Sequence, residues 1–189
     1  MATTDTTGLV MEKIRKIVSS LLRGDTREIG AFTIANGARI EAASGGGGGG
    51  GDLIIGNEFA NTLQGNGGGD NLFGGSGNDS LDGGAGDDRS FGGLGADTIV
   101  DDSGASNYLC GDEGNDLLQG GSGFHDINGN MANDTVNAGS EDSWAVGGRD
   151  NDSLSGGAGQ NLVYGNLGDD TCDDGYATAR SPNSSSAAM

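Results

Sequence analysis

Residues Gly65–Asp82 read GNGGGDNLF followed by GGSGNDSLD, two nine-residue units that superpose with Gly first, Asp sixth and Leu eighth. A unit this short cannot bury its own apolar residue, so a fixed period of this kind implies copies stacked on one another. Stepping by nine from Gly65 gives unit starts at Gly47, Gly56, Gly65, Gly74, Gly83 and Gly92. After a ten-residue unit over 101–110, the phase resumes at Gly111, Gly120, Gly129, Ala138, Gly147, Gly156 and Gly165. Fourteen units therefore run from 47 to 173, and the long one is read with Asp101 inserted and Asp102 in first place.

The eighth position carries Ile54, Leu63, Leu72, Leu81, Ser90, Ile99, Leu109, Leu118, Ile127, Val136, Ala145, Leu154, Val163 and Cys172. One inward side chain per unit is the whole core. Glycines permit tight loops at positive φ. The three residues around position eight make a short strand with its neighbours facing outward. The sixth-position Asp offers a hard oxygen of the kind calcium takes.

The pattern GGxGxDxUx resembles the haemolysin-type calcium-binding repeat of RTX proteins, over about two thirds of the chain. That resemblance implies an all-β fold, a right-handed parallel β-roll or β-solenoid of about seven coils with two units per coil. It further implies several calcium ions between successive loops on one edge, held by Asp carboxylates and loop carbonyls. On this reading the carboxylates are Asp52, Asp70, Asp79, Asp88, Asp97, Asp116, Asp134, Asp152 and Asp170, with backbone carbonyls near Gly65, Gly74, Gly83, Gly92, Gly111, Gly147 and Gly165.

With two units per coil, the sixth position splits into two columns. Even units carry Asn61, Asp79, Asp97, Asp116, Asp134, Asp152 and Asp170; odd units carry Asp52, Asp70 and Asp88, then Asn107, His125, Ser143 and Asn161. The expectation is one edge loaded along its length and one loaded only in its N-terminal half. Phe59, Glu141 and Asp150, in place of the fourth-position glycine, mark departures. His125 is the single histidine and has no His or Cys partner in the pattern, so it reads as a decayed calcium position.

The remaining sequence frames the repeats. Residues 6–23 have helical apolar spacing with basic residues elsewhere, an amphipathic helix suited to cap a solenoid end or to meet a membrane surface. Asn36-Gly37 within 28–42 signals a short hairpin or a first irregular coil. The expected division is thus a helix and hairpin cap over 1–46, the roll over 47–173 and a polar tail over 174–189. Cys110 and Cys172 are read as two unpaired small residues, with an intermolecular bridge through Cys110 as the alternative.

Composition excludes several classes. With 28 acidic against nine basic residues the net charge is −19, which disfavours nucleic acid and anionic lipid and favours a cation as partner. No apolar run reaches the roughly 18 residues of a membrane span. The chain shows no HExxH, GxSxG or Walker loop, and no catalytic function is expected. Neither a cleavable signal peptide nor a long C-terminal export signal is evident; the resemblance implies an extracellular or cell-surface protein exported by a type I system without cleavage.

The outward positions differ between the two sheets. The odd sheet displays Ile55, Phe73, Phe91, Val146 and Tyr164, with Leu53, Tyr108, Trp144 and Leu162 beside them; the even sheet displays mostly Thr and Ser, interrupted by Leu117. A greasy strip marks a contact, either with further copies of the chain or with the N-terminal helix. The leading expectation is a secreted protein that folds on calcium and self-assembles into a fibre, sheet or matrix. The alternatives are an adhesion or ice-binding solenoid and a secretion or folding module without activity of its own.

Overall fold

The computed structural model describes residues 32–33, 42–45 and 49–175. The expected helix over 6–23 and the tail from 176 onward lie outside the described residues. Among the described residues all regular structure is β-strand, in two parallel eight-stranded sheets. The odd sheet contains β1 (Phe32–Thr33), β3 (Leu53–Asn57), β5 (Asn71–Ser76) and β7 (Arg89–Leu94), then β9 (Ser106–Glu113), β11 (Phe124–Met131), β13 (Trp144–Arg149) and β15 (Leu162–Leu167). The even sheet contains β2 (Ala42–Ser44), β4 (Thr62–Gly67), β6 (Ser80–Ala85) and β8 (Thr98–Asp101), then β10 (Leu117–Gly120), β12 (Thr135–Asn137), β14 (Ser153–Ser155) and β16 (Thr171–Asp173). The chain alternates between the sheets, so two units make one coil and the molecule is a β-solenoid of about seven repeat coils.

Register keeps like positions together. Leu72 pairs with Ile54 on one side and Ser90 on the other, and Leu118 lies between Ile99 and Val136. Each inward aliphatic therefore stacks on its equivalents. Leu63, Leu72, Ile99, Leu109, Leu118 and Ile127 have no exposed surface at all. Ser90 is equally buried in the same column, and Cys172 packs half-buried at the last rung.

Where each strand runs into its loop, the second and fourth positions turn the chain through positive φ, as at Gly75 (φ 111°), near the end of β5, and Gly77 (φ 104°), just past it. Asn66, Asn130 and Asn166 take the same left-handed region in second position, where Asn is the side chain best suited to it. Asp150 keeps φ at 75° in fourth position, so this departure from glycine preserves the turn.

Two expectations are corrected. Among the described residues of 28–42, β1 and β2 do not pair with each other as the strands of a hairpin would: β1 pairs parallel with β3 and β2 parallel with β4, one in each sheet, which fits the other reading of the segment, a first irregular coil. A continuing solenoid offers both strands ladder partners that an isolated two-stranded hairpin lacks. Asp101 is also not the inserted residue. It pairs with Gly120 at the end of β8 and therefore holds first position, while Ser103 still bridges Ala85. By Tyr108, paired with Arg89, the register has gained one residue. The amides of Ala105 and Ser106 both donate to Asp87 Oδ1, at 2.9 and 3.0 Å, and the extra residue is absorbed there. An outward loop takes up a residue without breaking a ladder; a strand end does not.

Candidate metal centre

Along both edges, sixth-position Asp side chains reach across to the preceding coil. On the even edge, Asp79 Oδ1 accepts the amide of Asn61, and Asp97, Asp116, Asp134, Asp152 and Asp170 each accept the amide of the Asp one coil earlier, over 2.7–3.0 Å. On the odd edge Asp70 accepts the amide of Asp52 and Asp88 that of Asp70, at 2.7 and 2.6 Å. The two columns expected from unit parity are therefore physical ladders.

These bonds use only one oxygen. Oδ2 of Asp70, Asp79, Asp88, Asp97, Asp116, Asp134, Asp152 and Asp170 is buried and has no hydrogen-bond partner. Burying a charged oxygen without a partner is costly, and repeating it along an edge is not a packing accident. Each Oδ2 faces the first-position glycine of its own unit and, in most loops, the carbonyl oxygen of the next coil's first residue. A side-chain carbon at Gly92 would collide with Asp97 Oδ2 and lie 2.8 Å from Gly111 O. At Gly111 it would meet Asp116 Oδ2 and Gly129 O, and at Gly129 Asp134 Oδ2 and Gly147 O. Gly65 and Gly74 repeat the arrangement with Asp70 and Asp79, and Gly147 and Gly165 stand against Asp152 and Asp170. For Asp52 the facing glycine is Gly45, whose added carbon would lie 2.6 Å from Asp52 Oδ2 and 2.7 Å from Gly65 O. None of these first-position glycines has positive φ. They are glycine because a side chain would fill the space between carboxylate and carbonyl.

That space fits a hard cation: one carboxylate oxygen and loop carbonyls per site suits an oxygen-liganded ion. Among the described residues no three His, Cys, Asp or Glu side chains converge in one cluster, consistent with sites that draw mostly on backbone. The electrostatics agree. Burial raises Asp79, Asp88, Asp116 and Asp152 to about 6 and Asp134 to about 7, against hydrogen bonds that pull the other way. Asp70 and Asp97 are raised for the same reason.

The second half of the odd edge is built differently. Asn161 Nδ2 donates to the carbonyls of Ala158, Gly159 and Asp174, within 3.3 Å. Ser143 Oγ accepts the amide of His125 at 3.2 Å and lies near the carbonyls of Ala138 and Glu141. The His125 ring is fully buried, with Nδ1 2.9 Å from Gly123 O and Nε2 accepting the Gly121 amide at 3.3 Å. Burial lowers its pKa. A carbon on Gly120 would lie 2.8 Å from this ring, so a neutral imidazole occupies the place that Oδ2 faces elsewhere. These loops satisfy their polar groups from within.

Two groups escaped the sequence reading. Fifth-position side chains make a second ladder running the opposite way: Asn115, Asn133 and Asn151 accept the amides of Asn133, Asn151 and Asp169 at 2.8–2.9 Å. Splitting the fifth position by parity, as was done for the sixth, would have exposed it. The other group is Asp101, wholly buried, whose Oδ1 accepts Asn107 Nδ2 at 2.8 Å and whose Oδ2 has no partner. Burial, then the charge of Asp88, raises its pKa to about 8.

Stacked Asp loops in a parallel solenoid define a repeat protein built around cations. Residues 46–81, 64–99, 111–144 and 141–172 match the RTX calcium-binding nonapeptide repeat in four copies, and the chain belongs to that family. No curated protein and no solved structure gave a significant match. The cation of the family is calcium, and the molecule is a calcium-binding β-roll.

Proposed function

We propose that this chain is an exported structural protein whose roll folds when calcium enters the Asp ladders and which then associates with further copies of itself. The observation that carries the reading is the column of buried, unpartnered Oδ2 atoms from Asp79 to Asp170. Asp52, Asp70, Asp79, Asp88, Asp97, Asp116, Asp134, Asp152 and Asp170 hold the ions together with the loop carbonyls opposite them. Calcium supplies the positive charge that lets these carboxylates stay ionised while buried; the chain's own part is to place one oxygen per loop and keep the facing position free of a side chain. A Gly-rich chain of net charge −19 with one inward side chain per unit has little else to offset its entropy and self-repulsion. Binding that occurs only in the folded state couples directly to folding. Sites of this kind saturate at extracellular calcium levels of roughly 0.1–1 mM, so the chain stays open inside the cell and folds outside it.

Support for assembly comes from the odd sheet. Phe73 and Phe91 stack at 4.9 Å with rings 3° apart, and Tyr108 continues the row. Trp144, Leu162 and Tyr164 are 52, 45 and 40% exposed. Among the described residues β15 and β16 each have one strand partner, leaving ladder groups open to another copy. Among the described residues no helix is long and apolar enough to cross a membrane.

Far-ultraviolet circular dichroism and light scattering in calcium and in chelator test both parts. The expected outcome is a disordered spectrum in chelator, a β spectrum in millimolar calcium, and scattering that grows only with calcium. An unchanged β spectrum in chelator refutes folding by calcium; a folded chain that stays monomeric refutes the assembly and favours the binding-module alternative.

A further inference from the structure

We propose that Asp88 and Asp101 form a two-carboxylate calcium site, the tightest of the roll, that closes the loaded half of the odd edge. The inference rests on the calcium-folded reading above and goes beyond it, because the repeat pattern has glycine where Asp101 stands. Both side chains are essentially fully buried, and Oδ2 of each lacks a hydrogen-bond partner. Both oxygens point at one place: a carbon added to Gly83 would lie 2.5 Å from Asp101 Oδ2 and 2.9 Å from Asp88 Oδ2. In the neighbouring odd loop the corresponding space at Gly65 is bounded by Asp70 Oδ2 and the carbonyl of Gly83. Asp101 thus puts a second carboxyl oxygen where other loops offer a carbonyl.

The rest of the loop is arranged to hold that carboxyl group in place. Asn107, neutral in the sixth position, accepts the amide of Asp88 through Oδ1 at 2.8 Å, as an Asp would. Its Nδ2 donates to Asp101 Oδ1 at 2.8 Å and fixes the second carboxylate with its other oxygen toward Gly83. The carboxylate has in effect moved from the sixth position to the first. On the far side His125 Nε2 lies 3.2 Å from the Asp101 carbonyl and its ring fills the next space. Among the described residues, the groups that act on the Asp101 carboxyl are Asp88, the Ser103 backbone, Asn107 and further Asp side chains at 82 and 102, none of them basic. Two buried carboxyl oxygens facing one space repel each other unless a cation or a proton lies between them, and a cation with two carboxylate ligands binds more tightly than one with a single carboxylate.

The test dialyses the calcium-loaded full chain against falling free calcium and counts retained ions by atomic absorption. The wild-type chain should keep one ion after the others have left. Asp101→Asn, which preserves shape, should release that ion with the rest, its midpoint moving to roughly tenfold higher calcium or more. Asp101→Gly restores the usual repeat residue and provides the same comparison should the Asn variant fold poorly. Asp134→Asn, on the even edge, should leave the last ion in place. Identical release curves for wild type and both Asp101 variants would overturn the proposal and mean that the pair shares a proton instead. A wild-type chain that loads no calcium would overturn the proposal and the folding reading together.

Discussion

Gly129 shows what a single residue does in this roll. Its backbone needs no special φ, yet a side chain there would collide with Asp134 Oδ2 and lie 2.7 Å from Gly147 O. Gly129→Ala changes no charge and should still remove one ion from the count and destabilise the loaded roll by about 1–3 kcal/mol through overpacking alone. Calcium titration beside thermal melting checks both. Ser90 makes the opposite case. Its hydroxyl is fully buried among Leu72 and Leu109, with no hydrogen-bond partner. Ser90→Ala deletes the orphan at little cost in volume and should raise stability by about 1 kcal/mol, read as a higher melting temperature in calcium.

The ladders are the element that couples charge to folding. Burial holds Asp79, Asp88, Asp116 and Asp152 at about 6 and Asp134 at about 7, above the ordinary 3.8. The metal-free roll therefore binds more protons than the unfolded chain. Its stability is fullest below about pH 4 and is lost as pH rises through 6 to 7. In chelator, the β signal should be strongest near pH 4 and fade by pH 7, and calcium should abolish the dependence. A chelated chain that gains structure as pH rises would contradict this. The fifth-position ladder should be insensitive to pH where it is built from Asn115, Asn133 and Asn151, whose amides do not titrate.

For the whole molecule, the two sheets have different tasks. The even sheet turns Thr62, Ser80, Thr98, Thr135, Ser153 and Thr171 outward in one register, with Leu117 among them. The odd sheet carries the aromatic row, extended by Phe124, which meets Trp144 edge-on at 5.5 Å. Replacing Phe73 and Phe91 with Ser should abolish calcium-dependent scattering while leaving the ion count and the β spectrum unchanged. If assembly persisted, contact would run through the coil ends, at β15 and β16. Cys110 is poorly placed for a bridge between copies: its thiol is buried, donates to Asp112 at 3.2 Å and is pushed up to about 12, chiefly by burial.

The period was legible in the sequence because it is local, every ninth residue repeating an environment, and parity came with the resemblance to the RTX repeat, in which two units make one coil. From those two facts come the solenoid, the inward column, the Asp ladders and the failing half of the odd edge. Other features depend on which atoms a loop brings together across coils. That the first-position glycine is empty space rather than a turn, that the extra residue of 101–110 falls at Ala105–Ser106, and that Phe32 and Ala42 begin strands in different sheets became visible only in three dimensions. So did the exchange between Asp101 and Asn107. Read along the chain it is two substitutions six residues apart; read across the coils it is one carboxylate that has changed position and still points at Asp88.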